Sequence, residues 1–171
     1  YWMHNNMVTL EGQKMGKSLG NAISLRQFYE GNHKLLSRAW NPDVIRFFLL
    51  QSHYRSTTDF SEKALQAAEN GYENLRKYLA TLQEFAAHKP AGNATSIDVA
   101  GLRSRAEAAM NDDFNSAQAI AELFTSIKDV RARCNKGDIP DNLGDYLDFL
   151  KQFLDDVLAI WPDTSALEEN D

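Results

Sequence analysis

Between Ser61 and His88, the residues Leu65, Ala68, Tyr72, Leu75, Leu79, Leu82 and Ala86 recur in alternating steps of three and four. That spacing puts them all on one stripe of an α-helix, the pattern of a coiled-coil seam. A helix with such a stripe must bury it against other elements, and the rest of the chain supplies them. A shorter helix is expected from about Ile97 to Met110. Asn115 or Ser116 then caps another, with Ile120, Leu123, Phe124, Ile127, Val130 and Cys134 on one face and Gly137 as its stop. A last helix runs from near Asp141 to Ile160 on Leu143, Leu147, Leu150, Leu154, Val157 and Leu158, and Pro162 ends it. The run from His88 to Ser96 contains Pro90 and Gly92, cannot continue the period, and reads as the main flexible loop. Amphipathic helices joined by short loops predict a mainly α fold, an antiparallel helical bundle.

The first third of the chain is organised differently. Residues 1–10 form a possible strand, with Met3, Met7 and Val8 as packing groups. Ser24 with Gln27 makes a capping box for a short helix. Asn41 followed by Pro42 starts a helix through Leu50, asparagine at the cap and proline at the first helical position, where its missing N–H costs nothing. His53 to Phe60 reads as a polar connector.

Lys14-Met15-Gly16-Lys17-Ser18, followed by Leu19-Gly20-Asn21, has no apolar period and is a mobile cationic loop. Two ammonium groups three positions apart, on a backbone bent at glycines, can close over a polyphosphate and neutralise the charge that develops on departing pyrophosphate. A Walker A reading fits the spacing poorly. That motif places four residues between its glycines, only three separate Gly12 from Gly16, and the shortened loop cannot complete the N–H nest around a phosphate. A P-loop also needs a parallel sheet, for which the helical remainder offers no further strands.

The 171 residues are 43% hydrophobic, enough to bury a core, and no apolar run approaches the ~20 residues that span a membrane. The net charge of −6 is unevenly spread. Residues 1–60 carry +3, residues 61–100 carry −1 and residues 101–171 carry −8, so an anionic partner is drawn to the first third and to the start of the bundle. The acidic end, Glu168-Glu169-Asn170-Asp171, reads as a solvated tail. Cys134 is the single cysteine and lies in an apolar stripe, which makes it a packed core thiol and excludes a disulfide within the chain. His4, His33, His53 and Cys134 lack the short spacings of a zinc site, so no metal is expected on this chain. Asp112 and Asp113, at a helix junction, read as groups that satisfy N-terminal amides rather than as an acid–base pair. Trp40 and Trp161 read as packing anchors.

The loop pentad resembles the Lys-Met-Ser-Lys-Ser signature of class I aminoacyl-tRNA synthetases, with Gly16 in place of the usual serine. Tyr1-Trp2-Met3-His4-Asn5-Asn6, Arg46-Phe47-Phe48-Leu49-Leu50, His53-Tyr54-Arg55-Ser56 and Ala109-Met110-Asn111-Asp112-Asp113-Phe114-Asn115 are similar, in that order, to segments of the cysteinyl-tRNA synthetases. The resemblance runs from Tyr1 to about Trp161. Other departures are Asn6, where the family usually has glycine, Asn111, usually aspartate, and Ser116, usually threonine.

The resemblance implies a C-terminal portion of such an enzyme, truncated at both ends. Residues 1–58 would be the end of the catalytic domain with its lysine loop and stem-contact segment, residues 59–162 a helical bundle of the DALR-like anticodon-binding type, and residues 163–171 an acidic tail. It implies a parent that activates cysteine with ATP and magnesium, releases pyrophosphate and transfers the aminoacyl group to the 3′ end of cysteine tRNA. Lys14 and Lys17 would be catalytic, and Lys14, Met15, Gly16, Lys17 and Ser18 would bind ATP. Arg46, Arg55, Arg76 and Lys77 are the candidate tRNA contacts. The family's zinc is held by ligands upstream of the Trp2-Met3-His4 segment, outside this chain, as is the His-Ile-Gly-His half-site, so the chain alone is expected to be inactive. The parent is expected to be a cytoplasmic monomer with no membrane association. Two other readings stay open: a synthetase-like ligase that joins cysteine to an amino sugar, and a non-catalytic RNA-binding helical module.

Overall fold

The computed structural model describes residues 1–88 and 95–164. It is mainly helical with one small sheet, and packing divides the chain into two compact units, Tyr1–Tyr72 and Glu73–Asp171. Most of the loop expected over 88–96, and residues 165–171 of the acidic tail, lie outside the described residues.

The first unit is built on a three-stranded sheet of order β2-β1-β3. Strands β1 (Val8–Leu10) and β2 (Gln13–Lys14) form a hairpin, Thr9 opposite Lys14 and Leu10 opposite Gln13. Its two-residue turn, Glu11-Gly12, has φ of 49° and 75°, the doubly positive geometry that matches the twist of the strands it joins. Strand β3 (Thr58–Phe60) runs parallel to β1, with Val8 opposite Thr58, Thr9 opposite Asp59 and Leu10 opposite Phe60. Here the structure corrects the sequence reading twice. The segment 53–60 ends in a strand rather than a plain connector, because Thr58 and Phe60 alternate inward around an exposed Asp59. The opening segment is a strand only from Val8, and Met3 and Met7 stand exposed.

Helix α1 (Leu25–Glu30) starts at the expected capping box, with Ser24 and Gln27 satisfying each other's backbone amides. It ends at Gly31, φ 65°, where a side chain would collide with the main chain of Arg38 and Ala39. Helix α2 (Pro42–Leu50) begins at Asn41, whose side chain accepts the Asp43 amide. These elements enclose Ile23, Phe28, Trp40, Val44, Ile45, Phe47 and Phe48, with Phe60 of β3 reaching 4.9 Å, centroid to centroid, from both Phe28 and Phe48. The 31–40 loop is held by Arg38, which pairs with Glu69 at 2.6 Å and stacks 3.9 Å over Trp40. The hydrogen bond to Arg38 holds the Glu69 carboxyl below its ordinary value.

Helix α3 (Glu62–Ala87) passes through the division between the units. Leu65, Ala68, Tyr72, Leu75, Leu79 and Leu82 are all buried, as the stripe predicts, and Ala86 is half-buried. In the second unit, α4 (Val99–Asn111) and α5 (Ser116–Cys134) form a packed helical hairpin. Ala106, Ala109 and Ala119 are buried small residues that let helices approach closely. At the joint, Asp113 and Phe114 take φ of 56° and 55°, and the Asn115 side chain accepts the Gln118 amide. Asn115 therefore makes the N-cap of α5. Downstream, Gly137 (φ 84°) lets the Asp138 amide reach back to the Arg133 carbonyl, ending α5 as expected. Cys134 is buried, and burial pushes its thiol pKa up.

The last helix differs from its expected stripe. α6 (Leu143–Gln152) is continued by a π turn over Phe153–Val157 in which the Leu158 amide reaches the Phe153 carbonyl. The wider turn shifts the phase of the side chains. Leu143, Leu150, Leu154 and Leu158 are buried as expected, but Val157 is 50% exposed and Leu147 half-buried, while Tyr146, Phe149 and Phe153 fill the interior. The Tyr146 hydroxyl bonds Ser126 of α5 at 3.0 Å. Trp40 is buried as an anchor, whereas Trp161 is half-buried.

Candidate functional site: the lysine loop

The cationic loop continues β2. Lys14 is that strand's last residue, Met15 and Gly16 follow, and Lys17–Leu19 form one 3-10 turn closed by Gly20 at φ 64°. Lys14, Lys17 and Ser18 are exposed, and Met15 and Gly16 half-buried. The five predicted phosphate-binding residues thus run contiguously from the end of β2 into the 3-10 turn, with both lysines and Ser18 exposed.

Three sets of bonds shape the loop. Inside the turn, the Leu19 amide donates to the Gly16 carbonyl at 3.1 Å and the Gly20 amide to the Lys17 carbonyl at 3.1 Å. Across its base, the Asn21 side chain accepts the Gly16 amide at 2.9 Å and donates to the Lys14 carbonyl at 3.1 Å. At the far end of the hairpin, the Asp59 carboxylate accepts the Thr9 hydroxyl at 2.5 Å and the Gly12 amide at 2.7 Å. These two donors hold the Asp59 carboxyl below its ordinary value, the Thr9 hydroxyl contributing most. Neither Asn21 nor Asp59 is assigned a role by the sequence alone. The Gly20-Asn21 step is the one local mark of Asn21 in the sequence; Asp59 lies fifty residues from Thr9, and nothing local marks it.

Gly16 departs from the signature without being forced to. Its φ of −161° is extended backbone, and a Cβ there would meet Leu19 and Ser18 at 3.8 to 4.0 Å, ordinary contact. Beside the turn lies a cleft of about 320 Å³, lined among others by Gln13, Leu19, Asn21, Phe28, Lys34 and Leu35.

The candidate RNA contacts fall in two sets. Arg46 is exposed on α2 and Arg55 is exposed after stacked His53 and Tyr54, its Nε 2.9 Å from the Tyr54 hydroxyl. Asn6, where the resembled family has glycine, ties this segment to the chain start: its side chain donates to the Arg55 carbonyl at 2.8 Å. Arg76 and Lys77 belong to the second unit. Lys77 is exposed, whereas Arg76 is half-buried and paired with Glu73 at 2.7 Å. Among the described residues no three His, Cys, Asp or Glu side chains gather as a metal-binding group, and no helix is long and apolar enough to cross a membrane.

Comparison with known proteins divides along the same lines. Residues 1–70 match the family model of the class I (C) tRNA synthetase catalytic domain, and residues 105–160 that of the DALR domain. Similar curated proteins include the cysteine–tRNA ligases of Parabacteroides distasonis, 45% identical over 97% of this chain and 33% of that protein, and of Porphyromonas gingivalis, 46% identical over 94% and 32%. That of Phocaeicola vulgatus is 51% identical over 80% of this chain and 27% of that protein. The chain spans about a third of the length of the curated relatives it matches.

Proposed function

Because the chain belongs to the cysteinyl-tRNA synthetases, its first part in their class I catalytic domain and its later part in the DALR domain, we propose that it is the portion of a cysteine–tRNA ligase that stabilises departing pyrophosphate and presents a helical surface to cysteine tRNA. The supporting observation is the exposed pair Lys14 and Lys17 on a turn whose base is hydrogen-bonded to Asn21. Two ammonium groups on such a support lower the barrier to adenylate formation by offsetting charge as the α–β phosphate bond of ATP breaks, magnesium arriving with the nucleotide. No proton transfer is asked of them. Residues 1–58 act as the end of the catalytic domain and 59–162 as the RNA-facing bundle. Zinc, in this reading, is held by parts of the enzyme outside this sequence, and none of the chain's own steps passes through it. The parent works in the cytoplasm as a monomer.

The test is cysteine-dependent ATP–pyrophosphate exchange by the parent enzyme carrying Lys14→Ala or Lys17→Ala. Loss of one charge-stabilising group is expected to slow activation on the order of 10² to 10³-fold at unchanged melting temperature. Exchange at the wild-type rate with both lysines removed eliminates the reading.

A further inference from the structure

We propose that Asn21 is a positioning residue for the activation step, its side-chain amide fixing the backbone from which Lys14 and Lys17 act; this rests on the role proposed for the lysines. Gly20 turns the chain back in the left-handed region, its amide on the Lys17 carbonyl, so that Asn21 faces the start of the loop it has just left. There its amide spans Met15, donating to the Lys14 carbonyl at 3.1 Å and accepting the Gly16 amide at 2.9 Å. A carbonyl at one residue and an N–H two residues on is the pair of groups an extended strand offers to a parallel neighbour. The Asn21 side chain stands in for the N–H and C=O of one residue of that neighbour.

The chemistry of the position is restrictive. The side chain must donate and accept at once from a short stem. A carboxylate lacks the donor, alanine lacks both groups, and glutamine carries the amide one methylene too far. With the bridge in place, the segment from Lys14 to Lys17 is bounded on both sides, by the hairpin register at Lys14 and by the 3-10 turn at Lys17. Without it, Met15 and Gly16 regain their torsional freedom, and glycine loses the most on being ordered again. The two ammonium groups then keep their charge but lose their common frame. A transition state that depends on oriented charge suffers more from this than ground-state binding does.

The experiment has two arms. In the 171-residue chain, Asn21→Ala is expected to raise the hydrogen-exchange rate of the Gly16 amide while Leu79 and its neighbours in α3 stay protected. In the parent enzyme it is expected to lower kcat for exchange by on the order of 10²-fold, with KM for cysteine and the melting temperature unchanged. Combined with Lys14→Ala and Lys17→Ala together, the added loss should shrink to under about threefold, because lysines that are absent cannot be misplaced. Unchanged Gly16 exchange overturns the inference. So does an equal loss in both backgrounds, or an activity loss that merely tracks a lower melting temperature. If the lysine variants themselves are fully active, the reading of the loop fails and this inference with it, an outcome distinct from active-site lysines that do not depend on Asn21.

Discussion

Thr9 and Asp59 face each other across the parallel pairing of β1 and β3, and the threonine hydroxyl donates to the aspartate carboxylate at 2.5 Å. The same carboxylate oxygen takes the Gly12 amide at the tip of the hairpin. A strand that precedes the long helix thereby grips the hairpin from which the lysine loop extends.

This grip is pH-dependent with a definite sign. The Asp59 carboxyl titrates below its ordinary 3.8 in the folded protein, so the contribution of its charge is complete above that value and is lost as pH falls through the lowered native one. Exchange of the Gly12 amide should be flat from neutral pH to about pH 4, after correction for intrinsic rates, and accelerate below it. Asp59→Ala should remove the protection at every pH. Equal Gly12 exchange in wild type and Asp59→Ala would show that the contact does not restrain the turn.

Gly16→Ser should be accommodated. The backbone there is extended and the added Cβ meets only ordinary contacts. Removing a glycine's unfolded-state freedom is expected to stabilise by about 0.4 to 1 kcal/mol. Thermal denaturation measures the shift, and a clear drop in melting temperature means the loop packs more tightly around Gly16 than its geometry indicates.

The second unit separates two registers of its final helix. Leu79→Ala, at a site with 0% exposure, should destabilise by roughly 2 to 5 kcal/mol, and Phe153→Ala by about 3 to 5 kcal/mol, through cavity formation. Val157→Ala, at the half-exposed last position of the π turn, should stay within about 0.5 kcal/mol of wild type. Urea melts decide the matter: a Val157→Ala loss comparable to that of Phe153→Ala restores the uninterrupted α-helical stripe.

For RNA binding by the parent, Lys77→Ala should weaken tRNA affinity and reduce the steepness of its salt dependence by roughly one counterion. Arg76→Ala should do less, because Glu73 already partners the guanidinium at 2.7 Å. Affinity titrated against salt is the measurement. Identical slopes for wild type and both variants place the tRNA elsewhere.

Much of the fold is written locally. The stripe from Leu65 to Leu82, the capping box of Ser24 and Gln27, the Asn41-Pro42 start and the Gly137 stop all rest on interactions within one helical turn, so residue type and spacing sufficed to find them. The lysine turn was legible for the same reason: Lys14 and Lys17 are exposed on a short contiguous segment. What the sequence could not dictate by itself were pairings across long separations and choices among equally apolar residues. β3 exists because Thr58, Asp59 and Phe60 find Val8, Thr9 and Leu10, and a three-residue strand has no periodicity to betray it. Asp59 becomes a support of the hairpin only when that pairing brings it opposite Thr9. Phe153 stays on the buried face that Tyr146, Phe149 and Leu150 define, whereas Val157 leaves the core because a π turn changes the phase at the end of the last helix, and only the packing there decides which apolar side chains are enclosed.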